Sequence, residues 1–416
     1  MRIIWYECQK AFTSPVIIGL MLLFTAYNLF LIFTHSSQYK EELNVANQLA
    51  ETYGIDITDE SMNLFQQDLE KDLAKLNEMI RSERVTSAHE FLSQVSYKEW
   101  EHYRDEEQSF FVDLQLKEMY KHMAESIDTQ YESIHWGKFG EAATAGLSGS
   151  LAQKVRTDYE NISDRFDELI ANNEHKTWFF SGETYKMHSF LFRTLFGHLM
   201  FELLIIIVLA TSFITNYEFE TKTHLITYAS KRGRRLMRDK LIASFLTATA
   251  CMLFLFISTL CTYFIVFDYS HLWTSSISSA LNWEYQLPYV SRWPMTFATF
   301  LLWSICLTVV CLFLFTGIAF VIATFVRNNY FSFFLFAIFY AVAFLLPSFI
   351  STSSWLHYIA SYNLSQLTVN PHMFFMVKRG GMLFQYYEFT TVCAWFILTL
   401  ALGWIVLKRF EKKDIY

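Results

Sequence analysis

The sequence is short of the residues that build catalytic centres and disulfide-held folds. Only five prolines and six cysteines occur in 416 residues. The cysteines are Cys8, Cys251, Cys261, Cys306, Cys311 and Cys393, so the stretch 35–188 has none and no disulfide framework can hold it. No CxxC pair suggests a metal, and cysteine within apolar sequence serves as a small packing residue. A GxxxxGK[ST] phosphate loop is missing, which excludes nucleotide binding in the Walker manner. GxSxG, HExxH and paired intramembrane aspartates are missing too, so nothing points to hydrolysis. No catalytic residue, metal set or cofactor is expected on this chain.

What is abundant is apolar sequence: 53% of residues are hydrophobic and 18% aromatic. The apolar residues gather into runs of about 20, the length that crosses a hydrocarbon core about 30 Å thick. Six such runs lie at 14–34, 189–214, 241–267, 296–326, 330–350 and 387–407. The first is too long for a secretory signal core and lacks a small-x-small cleavage site after "LFLIFTHSS", so it is expected to remain as an anchor. The expected fold class is all-α, a polytopic membrane protein with six transmembrane helices.

Basic residues close to spans favour the cytoplasmic side. They cluster after the second run, at Lys222, Lys231, Arg232, Arg234, Arg235, Arg238 and Lys240, and in the tail 408–416, at Lys408, Arg409, Lys412 and Lys413. Both termini are therefore expected in the cytoplasm of a cell-membrane protein. The stretch 35–188 carries about thirty acidic against about fifteen basic residues and is expected outside. An acidic exterior and a basic interior argue against nucleic acid as partner and for contact with membrane lipid.

Three parts of 35–188 place apolar residues at helical spacing: Phe65 to Ile80, Leu116 to Ile134 and Leu151 to Leu169. Thr58 and Ser87 stand where helix N-caps belong, and "GKFGEAATAGLSGS" (137–150) has the content of a break. The expectation is an extracytoplasmic helical domain, partly coiled-coil-like. Its histidines, His35, His89, His102, His122, His135, His175 and His188, lack HxxxH spacing and are expected on the solvated surface. Outer loops are expected at 268–295, rich in Trp and Tyr, and at 351–386, where "NPH" and "KRGGM" interrupt any long helix.

Two polar features remain. Within 189–214 lies Glu202, costly to ionise in a bilayer, with His198 one turn earlier on the same face as a candidate partner. The pair reads either as a contact that fixes packing or as the lining of a substrate path. Between the second and third runs, residues 216–229 read as one amphipathic helix along the cytoplasmic face, with Tyr217, Phe219, Leu225, Ile226, Tyr228 and Ala229 on its apolar side and Glu218, Glu220, Lys222 and His224 on its polar side. Gly233 then lets the chain reverse. A positive-inside loop on anionic lipid is the plainer alternative.

This segment resembles the coupling-helix region of type-2 ABC exporter permeases: Glu220 and Thr223 match an E-x-G-T, "LITYAS" the apolar run that follows, Arg234 or Arg235 the turn, and Lys240 the lysine that opens the next span. Lys222 stands where the family has glycine. The N-terminal "WYECQKAFTSP" (within 1–13 and the start of the first span) resembles the family's elbow helix, with Trp5, Glu7 and Lys10 before Ser14 and Pro15. The resemblance covers the membrane part (14–34, 189–214 and 241–407) and the cytoplasmic segments, including 215–240, but not 35–188. It implies an ATP-driven export permease that moves a hydrophobic or amphipathic cargo such as a lipid, peptide or antibiotic. ATP and Mg would sit on a cytoplasmic ABC ATPase dimer, and a second copy of the chain or a related permease would complete the path. The coupling residues it implies are Glu218, Glu220, Thr223, Leu225, Ile226, Tyr228, Arg234 and Arg235. A non-transporting subunit that passes ATP-driven motion to its outer domain is the other class of function.

Overall fold

The structure, a computed structural model, describes residues 2–80, 84–179, 188–229, 233–284, 287–377 and 384–412. Helices dominate it. In chain order they are α1 Arg2–Phe12, α2 Pro15–Tyr53, α3 Asp59–Met79, α4 Ala88–Gln94, α5 Tyr97–Trp100, α6 Asp105–Glu132, α7 Trp136–Thr144, α8 Gly149–Ala171, α9 Phe196–Glu220, α10 His224–Ala229, α11 Leu236–Val266, α12 Phe297–Val326, α13 Asn329–Leu345, α14 Trp355–Ala360, α15 Leu364–Val369 and α16 Tyr387–Lys412. Among the described residues the strands are one antiparallel pair of two residues each, Trp283–Glu284 with Leu287–Pro288.

Among the described residues six helices are long and apolar enough to cross a membrane: Pro15–Tyr53, Ser189–Glu220, Leu236–Val266, Phe297–Val326, Asn329–Phe349 and Tyr387–Lys412. They coincide with the six apolar runs. The boundaries differ in one instructive way, because α2 does not stop near residue 34 but runs on to Tyr53 as a single 39-residue helix. At 1.5 Å per residue it is about 58 Å long, roughly twice the hydrocarbon thickness. Nothing in "HSSQYKEELNVANQLAETY" breaks a helix until Gly54, which has φ 84°. The second span begins irregularly, with the π-helical turn Ser189–Leu195 ahead of α9.

The three periodic stretches of 35–188 are α3, α6 and α8. Thr58 and Ser87 cap as expected: Thr58 Oγ1 accepts from Ser61 N at 3.1 Å while Ser61 Oγ accepts from Thr58 N at 2.8 Å, and Ser87 Oγ accepts from Glu90 N at 3.0 Å. The expected break over 137–150 is narrower, since Trp136–Thr144 is helical and the chain turns only at 145–148, with Gly146 at φ 87°.

These helices share a core with the rest of the chain. Asn47 Nδ2 donates to Asp268 O at 2.6 Å, Tyr131 Oη to Ser278 O at 3.2 Å, Ser275 Oγ to Trp178 O at 2.7 Å and Arg165 Nε to Ser291 O at 3.2 Å. Asp158 accepts from Tyr358 Oη at 3.1 Å, joining α8 to α14. One buried cluster runs from Phe65, Tyr120 and Trp178 through Phe190 and Phe267 to Leu203 and Phe315. The segments 35–179, 268–295 and 351–377 thus meet at one end of the bundle. The opposite end gathers α1, α10, the Arg327–Asn328 turn and the last turn of α16. The surface expectation fails for two histidines. His175 and His188 are buried, the first against the Tyr131 ring at 4.8 Å and the second against Tyr289 at 4.1 Å.

Candidate functional site

The 216–240 segment is built differently from the single amphipathic helix expected. Residues 216–220 are the last turn of α9, and the helix stops because Thr221–Thr223 turn out of it with Lys222 in the left-handed region at φ 58°. Lys222 Nα donates to Phe219 O at 3.3 Å and Thr223 Nα to Glu218 O at 2.9 Å, closing the last carbonyls of α9. A separate six-residue helix, α10, follows. Lys222 thus holds a backbone conformation that glycine adopts most readily.

Glu218 does not face outward. It is 4% exposed and sits between two lysines: Lys10 Nζ reaches Oε1 at 2.7 Å, and Lys240 Nζ donates to Oε2. Lys10 also bonds Glu7 Oε1 at 2.7 Å, and Lys240 lies 3.8 Å from Glu7 Oε2. Two carboxylates and two ammoniums thus form one neutral buried knot tying α1 to the end of α9 and the start of α11. Burial pulls the Lys10 ammonium down, but hydrogen bonds and charge from Glu218 and Glu7 outweigh it and hold Lys10 above the usual lysine range. Lys240 is wholly buried and also donates to Ile214 O at 2.5 Å and Thr215 O at 3.1 Å.

Glu220 is also occupied. Its Oε1 accepts from Asn329 N at 2.9 Å, the first amide of α13. The Arg327 guanidinium lies 4.8 Å from the Phe219 ring, so the two-residue turn between α12 and α13 is pinned to the end of α9.

Within α10 the residues separate by side. Tyr228 is buried between Phe410 of α16, at 5.2 Å, and Phe219, at 5.7 Å. Gly233 explains the lone glycine, since a Cβ there would stand 2.2 Å from Tyr228 O. Leu225 and Ile226 point away, 54% and 81% exposed, and Thr223 and Arg235 are exposed as well. On α1, Trp5 and Tyr6 are 66% and 62% exposed. The end therefore presents apolar side chains on short helices whose other faces are anchored. Ser230, Lys231 and Arg232 lie outside the described residues, and Arg234 is described through its backbone in the Gly233–Arg235 turn.

His198 and Glu202 are not partnered with each other. Glu202 Oε2 accepts from Asn28 Nδ2 of α2 at 2.8 Å, and the same amide lies 3.4 Å from Thr259 Oγ1 of α11. The His198 ring rests on Tyr27 at 5.3 Å. Helical spacing favoured the intrahelical pair, but α2 supplies a better partner from across the interface. Asn28 was legible as an amide inside an apolar run, and Lys240 as the base able to answer Glu218, yet neither names its partner without the packing. A second buried pair, Arg292 with Glu388, was not anticipated; Glu388 Oε1 also accepts from Phe375 N at 2.9 Å and Arg292 donates to Phe384 O at 2.6 Å, which fixes the start of α16.

Compared with protein families, curated proteins and solved structures, the chain matches none. Among the described residues no cluster of three metal-ligating side chains occurs.

Proposed function

We propose that the chain is the transmembrane permease subunit of an ATP-driven ABC exporter for a hydrophobic or amphipathic cargo. In this reading the end that carries α1 and α10 faces the cytoplasm and meets a separate ATPase dimer, and a second permease chain completes the path. The observation that carries it is the two-sidedness of α10: Tyr228 is buried in one cluster with Phe410 of α16 and with Leu236 and Met237 of α11, while Leu225 and Ile226 stand free. A lever needs both properties, a fixed inner face to transmit force and an outer face to receive it. Glu218 and Glu220 then act as fasteners that join the end of α9, from which the lever continues, to α1, α11 and α13, and contact with the ATPase falls to Leu225, Ile226, Thr223 and Arg235. A groove that buries both aliphatics gains about 1.5–3 kcal/mol from each.

The test is co-purification with the ATPase from the same host. Leu225→Asp with Ile226→Asp should weaken retention by on the order of 3 kcal/mol, roughly a hundredfold, while the permease still inserts and unfolds at the same temperature. Undiminished retention would reduce α10 to a helix resting on lipid.

A second reading, a subunit that passes motion outward without transport, draws on the shared core between 35–179 and the spans and on the unbroken α2. Proteoliposomes carrying the complex separate the two. Export predicts ATP-dependent movement of cargo, and the second reading predicts ATP-dependent distance changes between α3 and α6 with no cargo moved.

A further inference from the structure

We infer that Glu202 is a proton-binding site buried among the spans, held as the neutral acid in a reciprocal acid–amide pair with Asn28 that ties α2 to α9. Asn28 is fully buried; its Nδ2 donates to Glu202 Oε2 at 2.8 Å, and its Oδ1 has no donor. An ionised carboxylate only accepts hydrogen bonds, so it would leave Oδ1 orphaned and set a negative charge beside it. A carboxylic acid and a primary amide are complementary. The amide N–H donates to one acid oxygen, as observed, and the acid O–H donates to the amide oxygen. The donor that Oδ1 lacks is the proton of Glu202.

Lysine and arginine are scarce in the segments around this carboxyl. The segments 11–39, 194–221, 241–267 and 297–326 contain no lysine or arginine, nor does α13. Of the titratable groups on elements packed against α9, α2 presents Tyr27, α11 Cys251 and Tyr263, α12 Cys311, α13 Tyr340, which lies against Phe201 at 6.1 Å, and the turns Ser189–Leu195 and Pro371–Met373 carry Arg193, nine residues before Glu202, and His372. On α9 itself His198 rests on Tyr27, and Glu7 and Lys10 of α1 meet α9 at Glu218, sixteen residues along the chain from Glu202. Among the described residues Glu202 has no cationic partner, whereas Glu218 on the same helix has two. A low-dielectric span without a counter-ion favours the neutral form.

The experiment is infrared difference spectroscopy on the full chain in lipid nanodiscs at neutral pH. Wild type minus Glu202→Gln is expected to show the C=O stretch of a protonated carboxyl, shifted by deuterium exchange. Asn28→Val is expected to keep that band but move it to higher frequency, because its hydrogen bonds are lost. This second comparison needs only the wild type, so it stands if Glu202→Gln does not fold. A difference made of carboxylate stretches alone overturns the proton site, and a band unmoved in Asn28→Val overturns the pair.

Discussion

Replacing Lys240 with methionine tests whether the knot at the α1 end is a fastener. The side chain is wholly buried, and its ammonium donates to Ile214 O, Thr215 O and Glu218. The substitution keeps most of the volume but takes the cluster from two negative and two positive charges to two negative and one positive. Breaking a buried pair from one side costs about 3–5 kcal/mol, because the remaining charge has lost its compensation. Lys10 still holds Glu218 at 2.7 Å, so the lower end, about 3 kcal/mol, is expected. Glu218→Met combined with Lys240→Met removes one charge of each sign and leaves Glu7 with Lys10, already paired three residues apart on α1. That double variant should lose only about 1 kcal/mol, since apolar replacement of a whole buried pair is close to neutral. The assay is reversible unfolding of the four proteins by SDS in mixed micelles, read as a double-mutant cycle. A coupling energy of about 2 kcal/mol or more is expected between the two positions. Additive single effects, or a Lys240→Met variant within about 0.5 kcal/mol of wild type, would refute the reading, because a group with no partner to strand loses little.

Gly233→Ala places a methyl group against a backbone oxygen, Tyr228 O at 2.2 Å, which cannot rotate away, so it should cost about 1–3 kcal/mol and speed proteolysis near residues 224–235. Gly197→Ala in α9, where a Cβ meets nothing within 4 Å, is the control and should cause no loss of stability and no faster proteolysis. Burial, and secondarily the charge of Lys176, push His175 below the usual histidine range despite Asp128 at 3.7 Å. The unfolded chain then takes up that proton first as pH falls below about 6.5, so stability conferred by neutral His175 is full above that pH and is lost on acidification. His175→Gln should flatten this part of the stability profile, and an unchanged slope in the variant would assign the dependence to other groups.

The apolar runs were legible because crossing a bilayer demands length and composition, and both are local properties of sequence. The caps at Thr58 and Ser87 were legible for the same reason, since each is settled within four residues. The 216–229 helix misled because its periodicity is real on both sides of Thr221–Thr223, while the stop between them depends on Lys222 adopting φ 58°, which no pattern of apolar residues records. The reach of α2 to Tyr53 was hidden by the change from apolar to polar sequence at residue 35, which marks a change of surroundings and not of backbone. The partner of Glu202 and the more distant of the two lysines on Glu218 were out of reach because they lie 174 and 208 residues away in the chain, at Asn28 and Lys10.

The positions of the buried charges follow from what each level of the bundle can supply. At the α1 end the helix termini bring lysines, because the chain there leaves the apolar runs, and backbone carbonyls such as Ile214 O share the ammonium. A carboxylate finds compensating partners in that company, as Glu218 does between two lysines. At the other end, Arg292 pairs with Glu388 and Arg165 with Glu174. Between the ends, the stretches 11–39, 194–221, 241–267 and 297–326 contain no lysine or arginine, and the polar groups that meet at Glu202 are an amide, a hydroxyl and a carboxyl. Charge pairing fastens the ends, where both signs are available. The middle has to be joined by a neutral hydrogen-bonded pair, and a carboxyl can enter such a pair only with its proton on.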